Sequence, residues 1–121
     1  ASDANATDVG DIDTATSSCA GTSSLTHGYV SGGSAGPHVD SVRKYAFASD
    51  GNSVDGGADL SQGRHAHSGC SSETFGYVVG GYQTDWFIHI EKYSVSADTD
   101  STDVGDLSSS RGYASPVGSQ V

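Results

Sequence analysis

Three aspartate-rich stretches carry the first chemistry this sequence offers. Asp3/Asn5/Asp8, Asp50/Asn52/Asp55 and Asp98/Asp100/Asp103 each read Asp-x-[Asn/Asp]-x-x-Asp. Oxygen donors at alternate positions are how calcium loops begin. Asp50, Asn52 and Asp55 are therefore a candidate calcium site, and calcium is the one cofactor these residues suggest. Against it, no bidentate Glu follows at the far end of any stretch. Asp and Asn side chains also fold back onto their own backbone as Asx turns without a metal, and the turn is the favoured reading. His65-Ala66-His67 is a second candidate, since alternation along a strand would put both imidazoles on one face, as a transition metal requires. Asn5-Ala6-Thr7 is formally a glycosylation acceptor, whereas Asn52-Ser53-Val54 is not. Cys19 and Cys70 are too few for a disulfide scaffold, and bridging them needs Cα atoms within about 7 Å. No nucleophile motif, catalytic glutamate pair or cofactor fingerprint is visible, so the expectation is a protein that is not an enzyme.

Charge narrows the partners. The net charge is −10, with five basic residues spread along the chain. A phosphate-binding surface needs clustered Lys and Arg, so nucleic acid is not an expected partner. An anionic membrane surface is disfavoured for the same reason, and no apolar run is long enough to insert into a bilayer. Ser, Thr, Gly and Asp make up half of the 121 residues. These are poor helix formers, which argues for turns and strands within one small domain. Such composition also suits disordered chains, but here the apolar residues fall in short, regular clusters.

Those clusters repeat. Gly28-Tyr29-Val30-Ser31-Gly32-Gly33 returns as Gly76-Tyr77-Val78-Val79-Gly80-Gly81, and Val42-Arg43-Lys44-Tyr45 as Ile90-Glu91-Lys92-Tyr93, both 48 residues later. The Asp-rich block occurs three times, the middle copy one residue longer, at Ala58. Arg64 and Arg111 each follow the block's Leu by four residues, where the first copy has Thr16. Between these marks lie short strand candidates, roughly Val54–Leu60, His65–Ser71, Phe75–Val79 and Phe87–Val95, separated by turn chemistry. The diglycines mark places where φ is positive or another backbone passes too closely for a Cβ. His65 and His67 have no counterparts in the other copies, which favours packing or surface histidines over a metal site.

Four strands per repeat of this length is the pattern of a propeller blade. The order Arg64, Tyr77, Gly80-Gly81, variable loop, Tyr93, Asp-rich turn and Leu107 resembles the kelch motif over essentially the whole chain. It departs in lacking a Trp in the fourth strand, since the single Trp, Trp86, sits in a loop. The resemblance implies an all-β kelch-like β-propeller segment of four-stranded antiparallel blades. Arg64, Arg111, Tyr29, Tyr77, Tyr45, Tyr93, Gly32, Gly33, Gly80 and Gly81 are then repeat-defining structural residues. The wording around the Asp-rich block and His27-Gly28-Tyr29 is similar to repeats in virion structural proteins of marine bacteriophages.

On this register residues 1–15 hold the fourth strand of a preceding blade, 16–60 and 61–107 are blades, and 108–121 hold the first strand of a following one. About two and a half blades cannot close a ring, so the expectation is a fragment of a longer repeat protein, or an assembly in which neighbouring blades or subunits supply the rest. The segments after the diglycines, residues 33–38 and 81–87, differ most between repeats. Binding concentrates on variable loops of a fixed scaffold, so Tyr82, Asp85, Trp86 and His38 are the candidate ligand contacts. The resemblance implies a structural and recognition module of a virion or fibre-like extracellular assembly, reading a host receptor or surface glycan. A repetitive extracellular filament subunit without a specific ligand is the alternative.

Overall fold

In the computed structural model, which describes residues 4–115, the strand stretches form two separate four-stranded antiparallel sheets, with no helix among the described residues. The first comprises β1 (Ala20–Ser23), β2 (His27–Ser31), β3 (Ser41–Ala46) and β4 (Val54–Asp59), paired in chain order. The second comprises β5 (Ser68–Ser71), β6 (Phe75–Val79), β7 (His89–Ser94) and β8 (Thr102–Asp106), paired in the same way. Local chemistry explains the repetition. The first hairpin of each sheet turns at a serine whose hydroxyl accepts a backbone N–H three residues on, His27 N to Ser24 Oγ and Phe75 N to Ser72 Oγ, both 3.1 Å. Gly28 and Gly76 face Tyr45 and Tyr93 directly across the ladder. A Cβ at either glycine would overlap the tyrosine ring, so the small residue makes room for the large one.

Both β3–β4 and β7–β8 carry a bulge at the same place, between Val42 and Arg43 and between Ile90 and Glu91. The extra residue of the middle copy is absorbed there. Gly56 and Gly57 stand between the paired Asp55 and Ala58, where β8 has Val104 alone between Asp103 and Gly105. Gly57 sits at φ +77°, which its lack of a Cβ allows.

The sheets stack through β1 and β5. A Cβ on Gly69 would come within 2.8 Å of the Gly21 carbonyl oxygen, so the strands approach more closely than side chains permit. The core lies between the sheets: Tyr29, Val42, Ala58 and Leu60 meet Val78 and Tyr93, with Val95 at the margin. Tyr29 and Tyr93 pack edge to face at 6.1 Å. Each hydroxyl finds a partner, Tyr29 donating to the Val95 carbonyl at 2.7 Å and Tyr93 bonding the Thr22 hydroxyl. Burial pushes the Tyr93 phenol up to about 12, with the Thr22 bond opposing and Tyr29 adding to the shift. Tyr45, the same repeat position in the first sheet, is 42% exposed against 2% for Tyr93, because no sheet covers that face among the described residues.

The diglycines serve the stack in both ways their sequence allows. Gly32, Gly33, Gly80 and Gly81 all have positive φ, between 57° and 108°. Beyond each pair the chain meets the start of the following unit: Gly33 N donates to Arg64 O at 2.8 Å and Gly81 N to Arg111 O at 3.1 Å. Ser18, Ala66 and Tyr113 occupy matching positions and share a left-handed backbone, φ 53–56°. This turn shortens the strand expected from His65, which begins only at Ser68. It also corrects the expectation that His65 and His67 share a face. His65 lies half-buried among loop aromatics, while His67 is buried with its Nε2 3.0 Å from the Ser31 carbonyl. Burial drives the His67 imidazole down to about 4, with the Ser31 bond opposing and the Arg64 charge reinforcing the fall.

The Asp-rich stretches form clamps. Asn52 Oδ1 accepts from Asp11 N at 2.9 Å and Asp100 Oδ1 from Asp59 N at 3.2 Å. Asp8, Asp55 and Asp103 each accept from the glycine N–H two residues on, at 2.9–3.1 Å. Asp98 meets Lys44 of the first sheet at 2.8 Å. Asp3, the opening residue of the first stretch, lies outside the described residues. Residues 4–15 form no strand, because the ladder partner that a fourth strand needs is not among the described residues. They run beside the turn before β4, Gly51 N donating to Val9 O at 2.8 Å and Ser53 N to Asp11 O at 2.9 Å. The first strand expected in 108–121 falls, by the repeat, largely beyond residue 115 and outside the described residues.

One buried ion pair locks the second sheet. Arg64 is fully buried and pairs with Glu91, and its Nη1 donates to Gly80 O at 3.3 Å. Glu91 also accepts from Ser61 N at 3.0 Å, from Ser61 Oγ at 2.6 Å and from Ser101 Oγ. Burial alone would raise its pKa, but the hydrogen bonds from Ser101 and Ser61 and the Arg64 charge hold it below the usual carboxylate range. The first sheet inverts this pair. Arg43 stands where Glu91 does and Asp13 where Ser61 does, their charges 2.6 Å apart, with Thr16 in place of Arg64. Arg111 repeats Arg64 but is exposed, donating to Ser109 Oγ at 2.7 Å.

Candidate functional site

The two post-diglycine loops are closed by the same hydrogen bonds and differ in what they display. Val39 N closes the first onto Gly33 O at 2.9 Å, and Phe87 N closes the second onto Gly81 O at 2.8 Å. In each, two loop residues face each other and one also pairs with the segment leading into the first strand. The sets are Ser17, Ser34 and His38 in the first unit and His65, Tyr82 and Trp86 in the second. The same closures thus present two serines and one imidazole in the first unit and aromatic rings at all three places in the second.

The aromatics connect into a track across both units. His38 stacks on His65 with ring centres 4.7 Å apart, and His65 meets the edge of Tyr82 at 5.6 Å. Tyr82 packs against Trp86 at 5.0 Å, and Trp86 against Tyr113 at 6.3 Å. Exposure rises along it: His38, His65 and Tyr82 are half-buried, Trp86 is 46% and Tyr113 74% exposed. Gly112 lets the indole lie flat against the chain, since a Cβ there would overlap it. Asp85 is exposed in the same loop, next to Trp86 in the chain. Aromatic faces flanked by hydrogen-bonding groups are suited to sugar rings and to protein side chains.

Of the residues expected to bind, the structure thus joins His38, Tyr82 and Trp86, with Asp85 at the edge. His65 and Tyr113 join them, and neither was marked as a ligand contact by sequence. The available signal was the repeat itself, which sets both next to the second variable loop. Of the calcium candidates, Asn52 and Asp55 spend an oxygen on backbone N–H groups, while Asp50 is exposed at the turn. Asn5 is exposed in the strandless N-terminal stretch. Cys19 and Cys70 are both free and half-buried, and burial raises the Cys70 thiol above its ordinary value. No protein-family model and no curated protein sequence matches this chain.

Proposed function

We propose that the two sheets are kelch-like propeller blades of a longer repeat, and that the chain acts by binding rather than by catalysis. In this reading the track His38–His65–Tyr82–Trp86–Tyr113 is the recognition surface, for a glycan or protein receptor displayed on a cell. The assembly that carries it is extracellular and fibre-like, such as a virion. The observation that supports this most is the pair of loops closed by the same hydrogen bonds with different displays. A scaffold held constant by diglycines, with aromatics concentrated in one loop, is how recognition surfaces vary without disturbing a fold. Asp85 supplies an acceptor for hydroxyl groups at the rim. Faces of the blades that lack a neighbour, Tyr45 on one side and Tyr77 and Arg111 on the other, would meet further blades or subunits.

A glycan array probed with the wild-type protein and with Trp86→Ala and Tyr82→Ala tests the reading. Truncating a central aromatic in a binding surface removes about 2 kcal/mol or more, so each variant should lose at least tenfold in affinity. Binding that survives both substitutions overturns the site. A blank array with the intact protein favours instead a filament subunit without a specific ligand, which the repetition of the inter-sheet clamps also suits.

A further inference from the structure

We propose that His89, Asp103 and Asp106 form a binding site for a first-row divalent cation of the zinc type, on the β7–β8 edge of the second sheet. The bulge builds the site. His89 stands directly opposite Asp106 in the ladder and Glu91 opposite Asp103. Residues three apart on a regular strand point to opposite faces. Val104 is the extra residue of the bulge, and it returns Asp103 to the face that Asp106 and His89 share.

The distances fit a shared ion. His89 Nδ1 lies 3.0 Å from Asp103 Oδ2 and 3.4 Å from Asp106 Oδ1, and the three donor atoms are all within 4.8 Å of one another. Ligands about 2.1 Å from a metal, at angles between octahedral and tetrahedral, are themselves about 3.0–3.5 Å apart. His89 Nδ1 is buried yet has no hydrogen-bond partner, so neither oxygen lies along its ring N–H direction. A histidine that merely donated to one carboxylate would point at it. Asp103 is oriented from behind, because its other oxygen accepts from Gly105 N at 3.1 Å, the kind of outer contact that fixes a metal ligand. Both aspartates are half exposed, 52% and 56%, which leaves room for water at the remaining positions.

Donor chemistry sets the class of ion. One imidazole with two carboxylates and no sulfur suits zinc and its neighbours better than calcium or magnesium, which take oxygen alone. The first sheet provides an internal comparison. Its corresponding residues are Ser41, Asp55 and Asp59, with Ser41 opposite Asp59, so the carboxylates are present without the imidazole. The site is therefore particular to the second sheet.

Isothermal titration of the protein with zinc chloride at about pH 7.5, repeated with calcium chloride as competitor, tests the site. One equivalent of zinc should bind and an equal concentration of calcium should not displace it. His89→Ser, which copies the first sheet, and Asp106→Asn should each weaken binding at least about tenfold, with the circular dichroism spectrum unchanged. Both side chains are about half exposed, so a loss of binding with an intact spectrum is a loss of ligands. Absence of zinc binding to the wild-type protein at millimolar concentration overturns the proposal. So does zinc affinity that His89→Ser leaves intact, since the ion would then sit at other histidines.

Discussion

Replacing Glu91 with Gln removes one charge while keeping the side chain's shape, and leaves Arg64 charged in a site with no exposure. Arginine cannot shed its proton to escape. Breaking a buried pair from one side costs about 3–5 kcal/mol. That is about a fifth or more of the roughly 5–15 kcal/mol that holds a domain folded. At about 4 °C per kcal/mol for a chain of this size, Tm should fall by about 12–20 °C. The first sheet suggests the cure, since it holds Asp13, Thr16 and Arg43 at the places of Ser61, Arg64 and Glu91. Ser61→Asp, Arg64→Thr and Glu91→Arg made together should therefore regain most of the loss. Recovery should stop short of complete, because Asp13 is 39% exposed and Arg43 Nη1 has no partner. Urea denaturation followed by circular dichroism reads both effects as shifts in midpoint at constant slope. A Glu91→Gln protein within about 1 kcal/mol of wild type would refute the reasoning about the pair. A triple variant no more stable than Glu91→Gln would refute the equivalence of the two units.

Three glycines separate close approach from backbone strain. Gly80→Ala adds a Cβ at φ +64° into the Arg111 carbonyl and should cost more than about 2 kcal/mol. Gly36→Ala, at φ +106° with open space around it, should cost about 1 kcal/mol from strain alone. Gly105→Ala, with neither constraint, should be neutral or slightly stabilising. Equal thermal shifts for all three would contradict this ordering. Acidification acts through His67. Its folded pKa of about 4 lies below the ordinary 6.5, so the unfolded chain binds a proton first as pH falls. Its contribution is complete above 6.5 and is lost between 6.5 and 4, by about 3 kcal/mol in all. Glu91, whose pKa is lowered on folding, adds a further loss below its ordinary value of 4.5. Urea midpoints at about pH 7.5 and 4.5 read the His67 loss and a further one at about pH 3 adds that of Glu91, and His67→Gln should flatten the upper part of the profile.

Much of the architecture was legible in the residues because it depends on local chemistry. Strand positions followed from β-branched and aromatic clusters, and Phe75–Val79 is found at the expected bounds. Glycine pairs marked positive φ, and aspartates marked Asx turns. The misreadings came where one local feature overrode a pattern. Alternation at His65-Ala66-His67 suggested a shared face, but the left-handed Ala66 parts the two rings. The longer middle copy pointed to Ala58, yet the bulge takes up the extra residue at Gly56 and Gly57.

What the sequence alone determined is therefore the unit: two copies of a four-stranded antiparallel sheet, punctuated at fixed places. The stacking of those sheets decided the rest. It buried Tyr93 and left the equivalent Tyr45 partly exposed. It joined rings from residues 38, 65, 82, 86 and 113 into one track. It also let a charge pair be reversed between units without changing the fold. Propensity and turn geometry act over a few residues and can be read along a chain. Burial and side-chain convergence depend on which surfaces meet, and residues 48 apart meet only when one sheet lies against the next.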